Sequence, residues 1–255
     1  MTAHVVVTGG AGFIGSHLCT RLCADGHRVT CFDNLDDFYD PAMKQDNLAL
    51  LQQNPVTANR LVFYQGDIRD LDTLHQFFQA EPIDVIIHLA ARAGVRPSIE
   101  QTLLYGDINV QGTLNLLECC RNHHVQDFVF GSSSSVYGDG SSQRDYTYVD
   151  DIVDGIVRAW HWLQQGDSDH GICEIFNLGG SHPVLLRDLI HLLEAALGYQ
   201  ANLDWQPMQP GDVPITCADV KKSQTILGFQ PQVDIETGLQ RFATWFLPRV
   251  SSTAP

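Results

Sequence analysis

Four glycines set between an apolar run and an amphipathic stretch constrain this chain more than any other feature. Val5-Val6-Val7 reads as a short buried strand, and Thr8-Gly9-Gly10-Ala11-Gly12-Phe13-Ile14-Gly15 follows it at once, opening a helical pattern over 13–24. Gly9 permits a tight turn, Gly12 lets a ligand approach the backbone, and Gly15 allows the helix to pack closely on the strand. Phe13 and Ile14 then occupy the first helical turn, whose free N–H groups face an anion. A glycine motif alone could be only a structural turn; the strand before it and the helix after it supply the context a dinucleotide-binding turn requires.

The rest of the first half repeats this unit. Short apolar runs at 28–32, 61–64, 85–88 and 128–130 alternate with helical patterns near 42–53, 70–78 and 103–122. Short continuous apolar runs suit strands buried on both faces. The alternation predicts an α/β fold: a Rossmann-like, doubly wound parallel sheet with right-handed crossovers. After Gly138 the rhythm changes to a helix near 150–163, a strand near 175–177, a helix near 185–197, a Pro/Gly-rich stretch over 207–214 and two terminal helices. The expected division is a nucleotide-binding domain over 1–138 and a small substrate lobe over 139–255, with the sheet stopping after its fifth strand.

Composition narrows the class. With 255 residues, 44% apolar and 18% charged, the chain can bury one substantial core. Its formal charge of −15 opposes binding to nucleic acid or to anionic membrane surfaces, so an anionic ligand must be held by local donors. No run approaches the roughly 18 apolar residues of a membrane helix, and no leader pattern precedes Val5, which predicts a cytoplasmic protein. Seven cysteines include Cys19 and Cys23 at helical spacing, but no second Cys or His pair completes a metal site, so buried free thiols are expected. Asp33 closes the second strand, where a carboxylate accepts hydrogen bonds from both hydroxyls of a ribose and repels a 2′-phosphate. This favours NAD over NADP.

Two further blocks, Ser132-Ser133-Ser134-Ser135-Val136-Tyr137-Gly138 and Arg144-Asp145-Tyr146-Thr147-Tyr148-Val149-Asp150-Asp151, stand unusually close together. Each resembles a signature of the extended short-chain dehydrogenases, the NAD-dependent epimerase/dehydratase family acting on nucleotide sugars. Asp33-Asn34-Leu35-Asp36-Asp37-Phe38-Tyr39-Asp40 and His88-Leu89-Ala90-Ala91-Arg92-Ala93-Gly94-Val95-Arg96-Pro97-Ser98 are similar to the UDP-glucuronate 4-epimerase branch. The resemblance implies that Asn34 joins Asp33 at the cofactor, that Asp67 and Ile68 form an adenine-contacting turn, and that Leu89, Ala90 and Ala91 let the dinucleotide lie against the strand ends. It places Arg96, Ser98 and Asn109 near the sugar, Arg144 and Tyr146 at the nucleotide diphosphate, and Asp212 at the uridine ribose of a UDP-glucuronate-like ligand. Arg96 has a solvated surface arginine as its lesser alternative, and Arg144 could equally be an ion-pair partner of Asp150 or Asp151. Ser133 matches the hydroxyl that hydrogen-bonds the reacting group.

The resemblance also implies what is missing. Relatives separate the two blocks by a long segment holding a Tyr-x-x-x-Lys pair, whose lysine lowers the tyrosine from its usual pKa of about 10 so that it can serve as a base. Here the lysines are Lys44, Lys221 and Lys222, and none has a tyrosine four residues earlier. Two expectations follow. One is a catalytically silent protein that binds NAD and a UDP-sugar; the other is an active UDP-sugar 4-epimerase with a substitute base. The family's homodimer would lose part of its interface with the same segment.

Overall fold

The computed structural model describes residues 2–132, 143–166, 171–204 and 215–251, with the backbone alone at 95, 96 and 249–251. The chain divides into two compact units, Met1–Ser135 and Val136–Pro255.

The first unit carries five parallel strands: β1 (His4–Thr8), β2 (Arg28–Asp33), β3 (Leu61–Gln65), β4 (Val85–His88) and β5 (Asp127–Phe130). Their order is β3-β2-β1-β4-β5. This is the doubly wound order with its switch point between β1 and β4, the place where such sheets bind ligands at their carboxyl ends. The two central strands are buried throughout, as their unbroken apolar runs require. One face of the sheet packs an aromatic stack, with Phe32, Tyr64 and Phe77 rings 4.6 to 5.5 Å apart, onto Leu74, Ile86 and Leu116.

Local chemistry sets the helix ends. α1 (Phe13–Ala24) starts at Gly12 with no side-chain cap and no acidic residue in its first turn. α2 (Pro41–Gln53) has proline in its first position and the Asp40 carboxylate accepting from the Ala42 amide at 2.9 Å. In α3 (Leu71–Ala80) Asp70 accepts from the Thr73 amide at 3.0 Å. The single helix predicted over 103–122 is instead three pieces, α5 (Thr102–Gly106), a π-helical stretch (Asp107–Gly112) and α6 (Thr113–Asn122), and the short α4 (Val95–Glu100) precedes them. Glycine weakens a helix interior, and the wider turn lies between Gly106 and Gly112.

In the second unit β6 (Gln143–Arg144) pairs antiparallel with β7 (Val184–Leu185), and four helices follow the chain: α7 (Val149–Leu163), α8 (Leu186–Leu197), α9 (Lys221–Leu227) and α10 (Ile235–Ser251). Its core gathers Val220, Leu227 and Phe229 against Trp162, Phe176 and Leu178. The strand expected at 175–177 does not form. A strand needs a partner for its backbone groups, and none of the described residues pairs with this segment. Phe176 is held by its side chain instead, with its ring 5.1 Å from Trp162 and 5.2 Å from the Lys222 ammonium. Among the described residues no helix is long and apolar enough to cross a membrane.

Candidate cofactor site at the carboxyl ends of the strands

The glycine turn is closely packed against its surroundings. Gly9 has φ +69°, and a Cβ there would lie 2.9 Å from the Ala90 amide nitrogen, so the turn presses on the backbone that leaves β4. A Cβ at Gly15 would lie 2.2 Å from the Gly9 carbonyl, which excludes any side chain. The Gly12 amide closes the turn onto Gly9 O at 3.0 Å, and the first-turn amides of α1 at Phe13 and Ile14 emerge beside it. The first turn of α1 carries no acidic side chain.

The loop after β2 is a series of short side-chain to backbone turns. Asp33 Oδ1 accepts from the Leu35 amide at 2.8 Å, Asn34 Oδ1 from the Asp36 amide at 2.9 Å, and Asp36 Oδ1 from the Phe38 amide at 2.9 Å. These bonds hold Leu35 at φ +58°, a left-handed conformation that costs a branched residue about 1 kcal/mol or more. Asp33 does further work. Its Oδ2 accepts from the Ala11 amide at 3.2 Å and its Oδ1 from Lys44 Nζ at 3.0 Å, and both side chains are buried. Three bonds of the roughly four a carboxylate can accept are therefore internal. Asp33 ties the glycine turn to α2, a role the sequence reading did not foresee.

Asn34 and Asp67 come together, with Asn34 Nδ2 donating to Asp67 Oδ2 at 3.0 Å. Burial alone would raise the Asp67 carboxyl, but hydrogen bonds from Arg69, at 3.0 and 2.7 Å, and from Asn34 outweigh it and bring the pKa down to about 2. Ile68 is buried under Gly112 and its carbonyl accepts from Asn115 at 3.0 Å. Leu89 donates its amide to Thr8 O at 3.1 Å, Ala90 donates to Thr8 Oγ1 at 3.2 Å, and Ala91 is exposed beyond them.

A buried relay underlies this loop. Thr113 Oγ1 donates to the Asn109 carbonyl at 2.8 Å, so it must accept from His88 Nε2–H at 2.9 Å. His88 Nδ1 then accepts from the Thr8 hydroxyl at 2.6 Å. Both ring nitrogens are used by the neutral imidazole, and burial brings its pKa down to about 4. Asn109, expected near the sugar, has both amide atoms on the backbone of Arg92: Oδ1 accepts from Arg92 N at 2.8 Å and Nδ2 donates to Arg92 O at 2.9 Å. Arg92 is the residue the sequence reading passed over. Its Nη1 meets Asp36 Oδ1 at 3.1 Å, its guanidinium lies 4.8 Å from the Phe38 ring, and its Nε–H is buried with no hydrogen-bond partner.

Ser98 lies on α4 with its carbonyl bonded to Thr102, and Arg96 precedes it on the same helix with only its backbone described. In the second unit, Arg144 Nη1 donates to Gln143 O at 2.8 Å, and burial raises the pKa of Tyr146. Asp151, a considered partner of Arg144, is buried and accepts from the amides of Gln232 and Val233. Asp145, unremarked in the sequence, accepts from the amides of Ser181, His182 and Ala218 at 2.9, 3.3 and 3.0 Å. The one available clue was a carboxylate lodged between an arginine and an aromatic residue. Ser133 and Asp212 lie outside the described residues.

Comparison with known proteins matches this geometry. Residues 5–143 match the NAD dependent epimerase/dehydratase family and residues 136–242 the GDP-mannose 4,6 dehydratase family. An uncharacterized protein of Methanocaldococcus jannaschii is 32% identical, with 96% of each chain covered, over an alignment of 324 positions that exceeds the 255 residues of this chain. UDP-glucuronate 4-epimerase 3 of Arabidopsis thaliana is 30% identical over 95% of this chain and 76% of its own. The crystal structure of the Bacillus cereus UDP-glucuronic acid 4-epimerase, in complex with UDP-glucuronic acid and NAD, superposes with a TM-score of 0.80 at 25% identity, covering 96% of this chain and 99% of that one.

Proposed function

The chain belongs to the NAD-dependent epimerase/dehydratase family, and from that premise we propose that it is an NAD-binding, cytoplasmic protein of the UDP-glucuronate 4-epimerase lineage that does not turn over a UDP-sugar. The cofactor residues assigned to it are Gly9, Gly12, Phe13, Ile14, Gly15, Asp33, Asn34, Asp67, Ile68 and the 89–91 loop. The single observation that carries the silent reading is the lysine inventory. A family member needs a lysine four residues after its tyrosine, and no lysine here has that spacing; Lys44 pairs with buried Asp33, Lys222 with Glu174, and Lys221 opens α9.

A substitute base finds no support among the described tyrosines. The Lys44 ammonium lies 5.4 Å from the centre of the Tyr39 ring, yet burial raises the pKa of Tyr39. Tyr146 is raised likewise. A base at neutral pH needs the opposite shift. Tyr137 lies outside the described residues. The alignment longer than the chain and the meeting of the two family matches at 136–143 both support a missing internal segment at that junction.

When bound, NAD would supply reversible hydride acceptance. This chain's part is to seat the diphosphate on the α1 N-terminus, fix the adenosine ribose at β2 and exclude a 2′-phosphate. Purification with analysis of retained cofactor, followed by titration with UDP and UDP-glucuronate, tests the binding reading. Retained NAD and saturable UDP binding support it, and failure to bind NAD refutes it.

A further inference from the structure

Lys44, Arg69 and Arg92 lie near the ends of β2, β3 and β4, and each is paired with a carboxylate. Lys44 is held by Asp33, and Arg69 by two bonds to Asp67 with Asp107 also 3.6 Å away. Arg92 differs. One of its terminal nitrogens meets Asp36, its flat face rests on Phe38, its backbone is clamped on both sides by Asn109, and its Nε–H is buried without a partner. A buried donor left unmade costs about 1–3 kcal/mol, so a fold that immobilises a guanidinium from three directions and leaves one donor over has kept it for an acceptor.

The sheet order says which acceptor. β2 and β4 flank β1, so the Arg92–Asp36 bridge joins the loops of the two outer strands across the end of β1, where the glycine turn begins. The β4 loop presses on that turn at Ala90, two residues before Arg92. A dinucleotide with its ribose at the end of β2 and its phosphates on the glycine turn passes its diphosphate through this arch. We propose that Arg92 is a further cofactor-binding residue, its Nε–H donating to a diphosphate oxygen while Asp36 and Phe38 fix its orientation. The proposal rests on the NAD reading above and adds to it the residue that supplies positive charge in an acidic chain.

The test compares NAD, ADP and adenosine on the unmodified chain, Arg92→Ala and Arg92→Lys by calorimetric titration. Arg92→Ala should weaken NAD and ADP by about 10- to 100-fold, the range of one charge-assisted hydrogen bond, and leave adenosine within about twofold. Arg92→Lys should recover part of the loss, because it keeps the charge and loses the fixed fork. The salt dependence of NAD binding should also become shallower in Arg92→Ala. Equal losses for adenosine and ADP would make Arg92 structural, and unchanged ADP affinity would leave it no role; either overturns the proposal. An unmodified chain that fails to bind NAD refutes the cofactor reading itself, a result distinguishable from both.

Discussion

Asp33 shows at the scale of one residue how structure redistributes a role. Sequence assigns it to a ribose, and the structure adds a buried ion pair with Lys44 and the anchoring of the glycine turn. The two roles separate by substitution. Asp33→Asn removes the charge and turns one of the two acceptor oxygens into a donor, so the preference for NAD over NADP should fall by about tenfold, the effect of about 1.4 kcal/mol. Parallel titrations measure it, and tighter NADP binding by the unmodified chain would refute the NAD assignment. Asp33→Ala strands a buried ammonium and should cost about 3–5 kcal/mol in urea unfolding, with Lys44→Met restoring much of it. His88 gives a pH signature. Its folded pKa of about 4 lies below the ordinary 6.5, so the unfolded chain binds the extra proton in that window. Stability is therefore complete above about pH 6.5 and falls as pH drops toward 4, by about 3 kcal/mol in all. Asp67, whose folded pKa is about 2 against 3.8, contributes stability present above 3.8 and lost below it, outside that window. His88→Gln should flatten the decline in urea midpoint between pH 7 and 4.5; an unchanged decline would assign it to other groups.

At the scale of elements, the five strands and the helix after the glycine turn were legible because apolar periodicity and glycine placement are local signals. The strand at 175–177 was misread because strand formation depends on a neighbour that the sequence window cannot show. The π-helical stretch was equally hidden: nothing local to 107–112 announces that Asn109 must reach the backbone of Arg92. The tight glycine turn and the place of Asp33 at the end of β2 were legible, whereas the contacts of Arg92 and Asp145 were not, because they depend on partners distant along the chain. One consequence belongs to this scale. Among the described residues the sheet ends at β5 with Phe130 exposed, and α5 and α6 present Leu103, 90% exposed, with Leu114 and Leu117. An unpaired strand edge beside exposed apolar side chains promotes association. Sedimentation velocity should find concentration-dependent oligomers, reduced by Leu103→Lys with Leu114→Glu. A monodisperse monomer melting near 65 °C, in the upper part of the ordinary range, would contradict this.

For the whole molecule, no lysine of the chain stands four residues after a tyrosine, the spacing on which the proposed loss of turnover rests. The net charge of −15 leaves recognition of an anionic ligand to local donors. Loss of a general base alone lowers a rate by about 10² to 10⁴, and here its tuning lysine is absent as well. If turnover occurs, Ser133→Ala should abolish it and Tyr137→Phe should reveal whether that tyrosine acts as base. The most direct measurement incubates NAD-loaded protein with UDP-glucuronate and follows both the 4-epimer and bound NADH. The account predicts neither product; turnover within about tenfold of the median enzyme rate of roughly 10 per second would contradict it.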